Sequence, residues 1–188
     1  MNICVFCSSS DAVDREYFSV AAELGALIGK GEHALVFGGG RVGLMGALAR
    51  SAHGNGARVI GVIPRFMDRP AVTYAESDEI AVTEDLRERK ARMMEIADAF
   101  IALPGGFGTL EEIAEVITQK HFSFLTCPLA LVNTGGFYDP LAALFEKFYA
   151  ERFAKPDFRS TCAFVGSPAE AMDYIRDFTP SAPVSKWF

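Results

Sequence analysis

The sequence is short of positive charge. Eighteen lysines and arginines stand against 24 aspartates and glutamates, for a formal net charge of −6. A general binder of nucleic acid or anionic membrane would carry a basic surplus, so neither class of partner is expected. A small anionic ligand needs only one local group of cations and is not excluded. Long apolar runs are also missing: nothing approaches the roughly 18 to 20 residues of a membrane helix. The opening MNICVFCSSS has no basic start leading into an apolar stretch, so no secretory signal is expected and the default location is cytoplasmic.

Histidine is scarce, with three residues, and cysteine is limited to Cys4, Cys7, Cys127 and Cys162. A zinc site would want a second close pair beside Cys4 and Cys7, and Cys127 with Cys162 is not one. A redox C-x-x-C opens a helix, whereas this pair lies inside an apolar, strand-like run. Residues at that separation in a strand point to opposite faces. Two buried core thiols are the expectation, with no metal ion.

What is plentiful is apolar surface: 50% of the 188 residues are hydrophobic and 12% aromatic, enough to exclude disorder and to build a core. One compact domain over residues 1–188 fits that length. Short apolar runs alternate with longer amphipathic ones. Strands are expected at Asn2–Cys7, Ala34–Phe37, Arg58–Ile63, Ala99–Leu103 and Leu129–Asn133. Helices are expected at about Asp14–Gly29, Leu44–Ala52, Glu84–Ala97, Thr109–His121, Tyr138–Glu151 and Pro168–Phe178. Arg65 to Ala81 reads as a loop holding a short extended segment. The alternation predicts an α/β fold, a Rossmann-like three-layer α/β/α arrangement on a parallel sheet. Ligands in such sheets bind beyond the carboxyl ends of the strands, where two glycine-rich turns fall.

The first, Gly38-Gly39-Gly40-Arg41-Val42-Gly43, fits G-x-G-x-x-G but follows the second strand rather than the first. The third strand runs into Pro64, where a dinucleotide fold would place a ribose-binding acid, so an NAD(P) dehydrogenase is disfavoured. A P-loop is excluded, because no glycine precedes Lys-Ser or Lys-Thr. For Gly39 and Gly40 two readings remain open, close packing of strand on helix and backbone approach to a ligand.

The second turn is Pro104-Gly105-Gly106-Phe107-Gly108-Thr109. Its glycines are expected to adopt backbone conformations closed to other residues and so gather several N–H groups around one anion. The helix beginning there adds unpaired amides and the positive end of its dipole. Thr109 with Glu112 also matches a capping box, which needs no function. On this helix Leu110, Ile113, Ala114 and Ile117 share an expected apolar face, with Glu112, Glu115 and Gln119 opposite. In the preceding helix Leu86, Met93 and Ala97 define the apolar stripe, with Lys90 inside it and Arg89 at its edge. Cations so placed call for a salt bridge, a snorkelling side chain or a bound anion.

Phe37-Gly38-Gly39-Gly40, Gly43-Leu44-Met45-Gly46, Arg89-Lys90 and Asp98 through Pro104-Gly105-Gly106-Phe107-Gly108-Thr109-Leu110-Glu111-Glu112 resemble the Lonely Guy (LOG) family. Its members are cytokinin riboside 5′-monophosphate phosphoribohydrolases, often mislabelled as lysine decarboxylases. The resemblance runs from Cys4-Val5-Phe6-Cys7 and Ser8–Ser10 to the helix near Phe148. It implies a catalytic pair, Arg89 and Glu112, and nucleotide contacts from Lys90, Gly106, Phe107, Gly108, Thr109, Leu110, Glu111 and Thr118. Gly105 of the same turn, with Gly39 and Gly40, completes the expected phosphate and substrate site. It also implies a homodimer, a pocket that accepts AMP as well as cytokinin nucleotides, and no cofactor. Three positions depart from the family pattern: Arg87 where His is common, Ala71 where a substrate-contacting Glu is common, and Gln119 where Trp is common.

The expected reaction hydrolyses the N-glycosidic bond of a purine nucleoside 5′-monophosphate to free base and ribose 5-phosphate. Glu112 would stabilise the oxocarbenium-like sugar and activate water, while Arg89 would keep Glu112 aligned and ionised. The alternative is a nucleotide-binding or sensing protein without turnover.

Overall fold

A computed structural model describes residues 1–180. Its sheet is parallel throughout, built from β1 (Asn2–Phe6), β2 (Ala34–Phe37), β3 (Val59–Pro64), β4 (Glu79–Thr83), β5 (Ala99–Ala102), β6 (Leu129–Val132) and β7 (Ala163–Val165) in the order β4-β3-β2-β1-β5-β6-β7. The chain starts in the middle, moves outward to β4, then returns to the other side of β1 with β5. The switch point therefore lies between β1 and β5, where the connections diverge and leave a crevice beyond the strand ends.

Side-chain alternation divides the core in two. Ile3 and Val5 of β1 face one cluster, with Leu24 and Ile28 of α1 (Arg15–Lys30), Leu44 and Leu48 of α2 (Gly43–Gly54), and Ile175 of α6 (Pro168–Asp177). Cys4 and Phe6 face the other, with Met93 of α3 (Leu86–Ile96) and Ile113 and Val116 of α4 (Phe107–His121). Leu141 of α5 (Asp139–Ala150) packs at its margin. A completely buried Ile, Leu or Phe contributes about 2 to 3 kcal/mol relative to exposure, so this alternation fixes the register of the central strands.

The expectation of two buried core thiols holds. Cys4 and Cys7 are free, buried and in opposite clusters, and burial pushes both thiols upward. Among the described residues no group of His, Cys, Asp and Glu is arranged to hold a metal ion, and no helix is long and apolar enough to cross a membrane.

The two edges depart from expectation. The segment after Arg65 does hold an extended piece, but it is a full edge strand, β4, paired with β3 and running on to Thr83. At the other edge β7 and a 3-10 helix at Pro156–Thr161 were not anticipated. Three residues, Ala-Phe-Val, are too few to display a period.

Candidate active site

Helix α4 begins two residues earlier than expected. Its N-cap is Gly106 and no side chain caps it. Thr109 therefore sits within the first turn, and the capping-box reading of Thr109 with Glu112 is wrong. Thr109 is buried against Gly105, where an added Cβ would lie 2.1 Å from the threonine Oγ1. The amides of Phe107, Gly108 and Thr109 belong to the opening turn, which has no intrahelical acceptors for them.

The expected reason for the glycines also needs correction. None of Gly105, Gly106 and Gly108 has a left-handed φ. Gly105 is required by space, because Thr109 fills the position of its side chain. At Gly106 and Gly108 an added Cβ would meet nothing within 4 Å. Both border the cleft, so their missing side chains leave room for something outside the protein.

The helix faces are rotated from the expected ones as well. On α4 the buried residues are Thr109, Glu112, Ile113 and Val116, while Leu110 and Ala114 are exposed. On α3 Leu86 is 47% exposed and Met93 alone is fully buried. Arg89 and Lys90 do turn inward, with side chains 11% and 14% exposed. They part company from there. Arg89 Nη1 lies 3.2 Å from Glu112 Oε1, whereas Lys90 Nζ is held by Glu111 and, at 2.5 Å, by Glu115.

The cleft encloses about 440 Å³ at the switch point between β1 and β5. Its lining includes Ser8–Ser10 after β1, Gly106, Gly108 and Thr109 after β5, and Arg89 with Glu112. The apolar residues Val42, Met45, Met67, Val72 and Leu86 also line it. The serine loop is fixed by its neighbours. Ser8 N–H donates to Pro104 O at 3.3 Å, and Met45 N–H to Ser8 O at 3.3 Å. Gly43 adopts φ +62° and donates its N–H to Asp11 Oδ1 at 2.8 Å.

Burial governs the carboxyl of Glu112. Its side chain is 7% exposed, and removal from water pushes its pKa up to about 7 against the opposing pull of Arg89. Arg89 stands beside the carboxyl, and desolvation of the charged form outweighs the pull of that cation. A carboxyl titrating there can take or give a proton near neutral pH.

Of the sequence-derived candidates, Arg89, Glu112, Gly40, Gly106, Gly108 and Thr109 border the cleft. Gly39 lies behind it with φ +72°, tight against Ile63, and Gly105 lies under Thr109. Phe107 is 93% exposed and Leu110 43%, and neither borders the cleft. Lys90 and Glu111 pair with each other beside it. Thr118 is farther along α4, exposed, with its hydroxyl donating to Ala114 O at 2.8 Å. Sequence reasoning missed Gly38, Met45, Met67, Val72 and Leu86. The position of Ser8–Ser10 and Gly38 just after central strands was available as a signal; Met67 and Val72 sit in an aperiodic loop that offers none. Arg87, Ala71 and Gln119 are outside the cleft lining.

Comparison with known proteins agrees with this geometry. The family model described as "possible lysine decarboxylase" matches residues 45–175. A probable cytokinin riboside 5′-monophosphate phosphoribohydrolase of Oryza sativa subsp. japonica is 40% identical over 98% of this chain and 85% of its own. A cytokinin riboside 5′-monophosphate phosphoribohydrolase of Arabidopsis thaliana is 38% identical over 95% of this chain and 84% of its own. Among solved structures, the molybdenum cofactor binding protein of Rippkaea orientalis superposes with a TM-score of 0.71 at 22% identity, covering 93% of this chain and 94% of that one, which shows a shared fold. The extent of these matches, with the Pro104–Glu112 turn and Arg89 assembled in one cleft, establishes that the chain belongs to the LOG family of cytokinin riboside 5′-monophosphate phosphoribohydrolases.

Proposed function

We propose that this chain hydrolyses the N-glycosidic bond of purine or cytokinin nucleoside 5′-monophosphates, releasing free base and ribose 5-phosphate. The carrying observation is the buried Arg89–Glu112 pair at the edge of a helix N-terminus stripped of side chains. The 5′-phosphate takes the free amides from Gly106 to Thr109, where the helix dipole favours an anion. The apolar lining of Met45, Met67, Val72 and Leu86 suits a base and any apolar substituent on it. Phosphate at one end and base at the other bring the anomeric carbon toward Glu112, and that remote binding energy orients the reacting bond.

In the reaction, water oxygen bonds to the anomeric carbon as the bond to the base nitrogen breaks. As carboxylate, Glu112 orients the water, takes its proton and stabilises the oxocarbenium-like sugar. The leaving base regains a proton. Arg89 holds Glu112 in place and faces substrate oxygens with its remaining N–H groups. No metal or organic cofactor takes part in this reading.

The resemblance also assigns nucleotide contacts to Lys90 of α3 and to Glu111 and Thr118 of α4. We place them where a second copy closes the site. Helix α5 has no buried residue, Leu144 and Phe148 on it are exposed, and Leu110 and Ala114 are exposed on α4. A homodimer would cover this apolar face, and sedimentation at micromolar concentration tests it: a monomer would remove the shared-site reading.

The decisive activity test incubates the folded protein with AMP and with isopentenyladenosine monophosphate and assays free base and ribose 5-phosphate. Release of base from at least one is expected. Tight AMP binding with both nucleotides recovered unchanged would instead identify a nucleotide-binding protein.

A further inference from the structure

Arg89 crosses the carboxyl ends of two strands before it meets Glu112. Its Nε donates to Val62 O of β3 at 3.1 Å, and Nη1 stands 3.2 Å from Glu112 Oε1. Between these anchors the guanidinium lies over Gly38, the residue that follows β2. A Cβ built on Gly38 would stand 2.0 Å from Nη2 and 3.2 Å from Cζ of Arg89.

We propose that Gly38 is a positioning residue for the hydrolysis: the missing side chain opens the slot that holds the Arg89 guanidinium against Glu112. The inference rests on the Arg89–Glu112 reading above. Backbone conformation gives Gly38 no other reason to be glycine, since it is not among the left-handed glycines. Strand backbone does not crowd it either: the three atoms nearest to that Cβ are two of Arg89 and the Met45 sulfur at 3.2 Å. Both neighbours are ends of flexible side chains. Alanine at 38 can therefore be accommodated by moving the guanidinium, with the backbone in place. Gly43 is the contrast: its Cβ would meet backbone atoms of Ser9 and Ser10 at 2.4 to 2.8 Å.

The guanidinium is a rigid planar fork, so displacing Nη2 moves Nη1 and Nε with it. Glu112 then loses its aligned partner. The other groups near the carboxyl are Lys90 from α3, Glu111 from α4, and the buried thiols of Cys4 on β1 and Cys7 just after it. None of them can replace Arg89: Lys90 is held by Glu111 and Glu115, and the rest are acids.

The test compares Gly38→Ala, Arg89→Ala and the double variant of the full chain on whichever monophosphate the wild type cleaves. Gly38→Ala is expected to melt close to the wild type. Its kcat should fall about a hundredfold, the scale of a misplacement near 1 Å, with a smaller change in KM because the phosphate turn is untouched. The acid limb of its pH–rate profile should move to higher pH. The double variant should be no slower than Arg89→Ala, since the two changes remove one interaction. A wild-type kcat in Gly38→Ala, an unmoved acid limb, or additive losses in the double variant would each overturn the proposal. Should Gly38→Ala fail to fold, a folded double variant would support the slot, and an unfolded one would make Gly38 purely structural. Normal rates in Arg89→Ala would instead remove the catalytic reading on which the proposal rests.

Discussion

The two glycine-rich turns sit at the ends of β2 and β5 and border the same cleft, yet they are glycine-rich for opposite reasons. In the turn from Gly38 to Gly43 the protein occupies the missing side chains' space. Arg89 lies over Gly38, Ile63 presses on Gly39 at φ +72°, and the Ser9–Ser10 backbone abuts Gly43 at φ +62°. In the turn from Pro104 to Thr109 only Gly105 is filled, by Thr109. Gly106 and Gly108 have ordinary φ and empty space before them. Glycine satisfied by the protein belongs to folding and positioning. Glycine left unsatisfied at a helix N-terminus is where we propose that the phosphate binds.

The largest effect should come where both turns converge. Glu112→Gln is expected to lower kcat by about 10²- to 10⁴-fold, the usual contribution of a positioned acid–base group, with KM little changed; steady-state kinetics on the active monophosphate measures it. Activity within a fewfold of wild type would detach the carboxyl from the chemistry.

Substitutions in the two turns should then separate stability from binding. Gly43→Ala combines a left-handed φ with backbone overlap and should cost at least about 2 kcal/mol in denaturant unfolding. Gly108→Ala lies in the first turn of α4 with nothing to strike. It should leave stability unchanged or raise it by about 0.5 to 1 kcal/mol, while KM for the monophosphate rises. A Gly108→Ala protein that is destabilised with unaltered KM would erase the distinction between the turns.

A smaller effect concerns pH. The folded pKa of Glu112, about 7, is above its ordinary 4.5. The folded state therefore holds this proton more tightly than the unfolded one. The associated stability is fully present below pH 4.5 and is lost as pH rises through about 7. Across that window the wild type should lose melting temperature relative to Glu112→Gln. Parallel curves would mean the carboxyl is not desolvated as the structure has it.

The smallest expected change is in Lys90→Ala. Its partners Glu111 and Glu115 are 57% and 31% exposed, and solvent-open pairs contribute about 1 kcal/mol or less each. Unfolding should barely register it, while KM should rise if Lys90 serves the nucleotide. A kcat loss matching that of Arg89→Ala would mean the two cations share one role.

Much of this was legible in the residues. β1, β2, β3, β5 and β6 are apolar runs bounded by turn residues, and buried parallel strands have that form. The edges were less legible: β4 leaves its apolar Ile80 and Val82 exposed, so its residues do not mark a buried face, and β7 is too short to show a period. Helical faces were misjudged for a related reason. Leu110 and Ala114 are apolar yet exposed, and Glu112 is charged yet buried, so a rule that places apolar residues inside rotates α4 the wrong way. Of these exceptions only Glu112 borders the cleft.

By itself the sequence determined the α/β order, the parallel sheet, the two turns at strand ends and, through Pro104–Glu112 with Arg89-Lys90, the family. These depend on local periodicity and short motifs, which neighbours in the chain carry. Tertiary structure decided which cation meets Glu112, why each glycine is glycine, and that burial rather than Arg89 sets the state of the carboxyl. Those outcomes depend on distances between residues far apart in sequence and on exclusion of water, and neither exists until the strands have brought Gly38, Val62, Arg89 and Glu112 to one place.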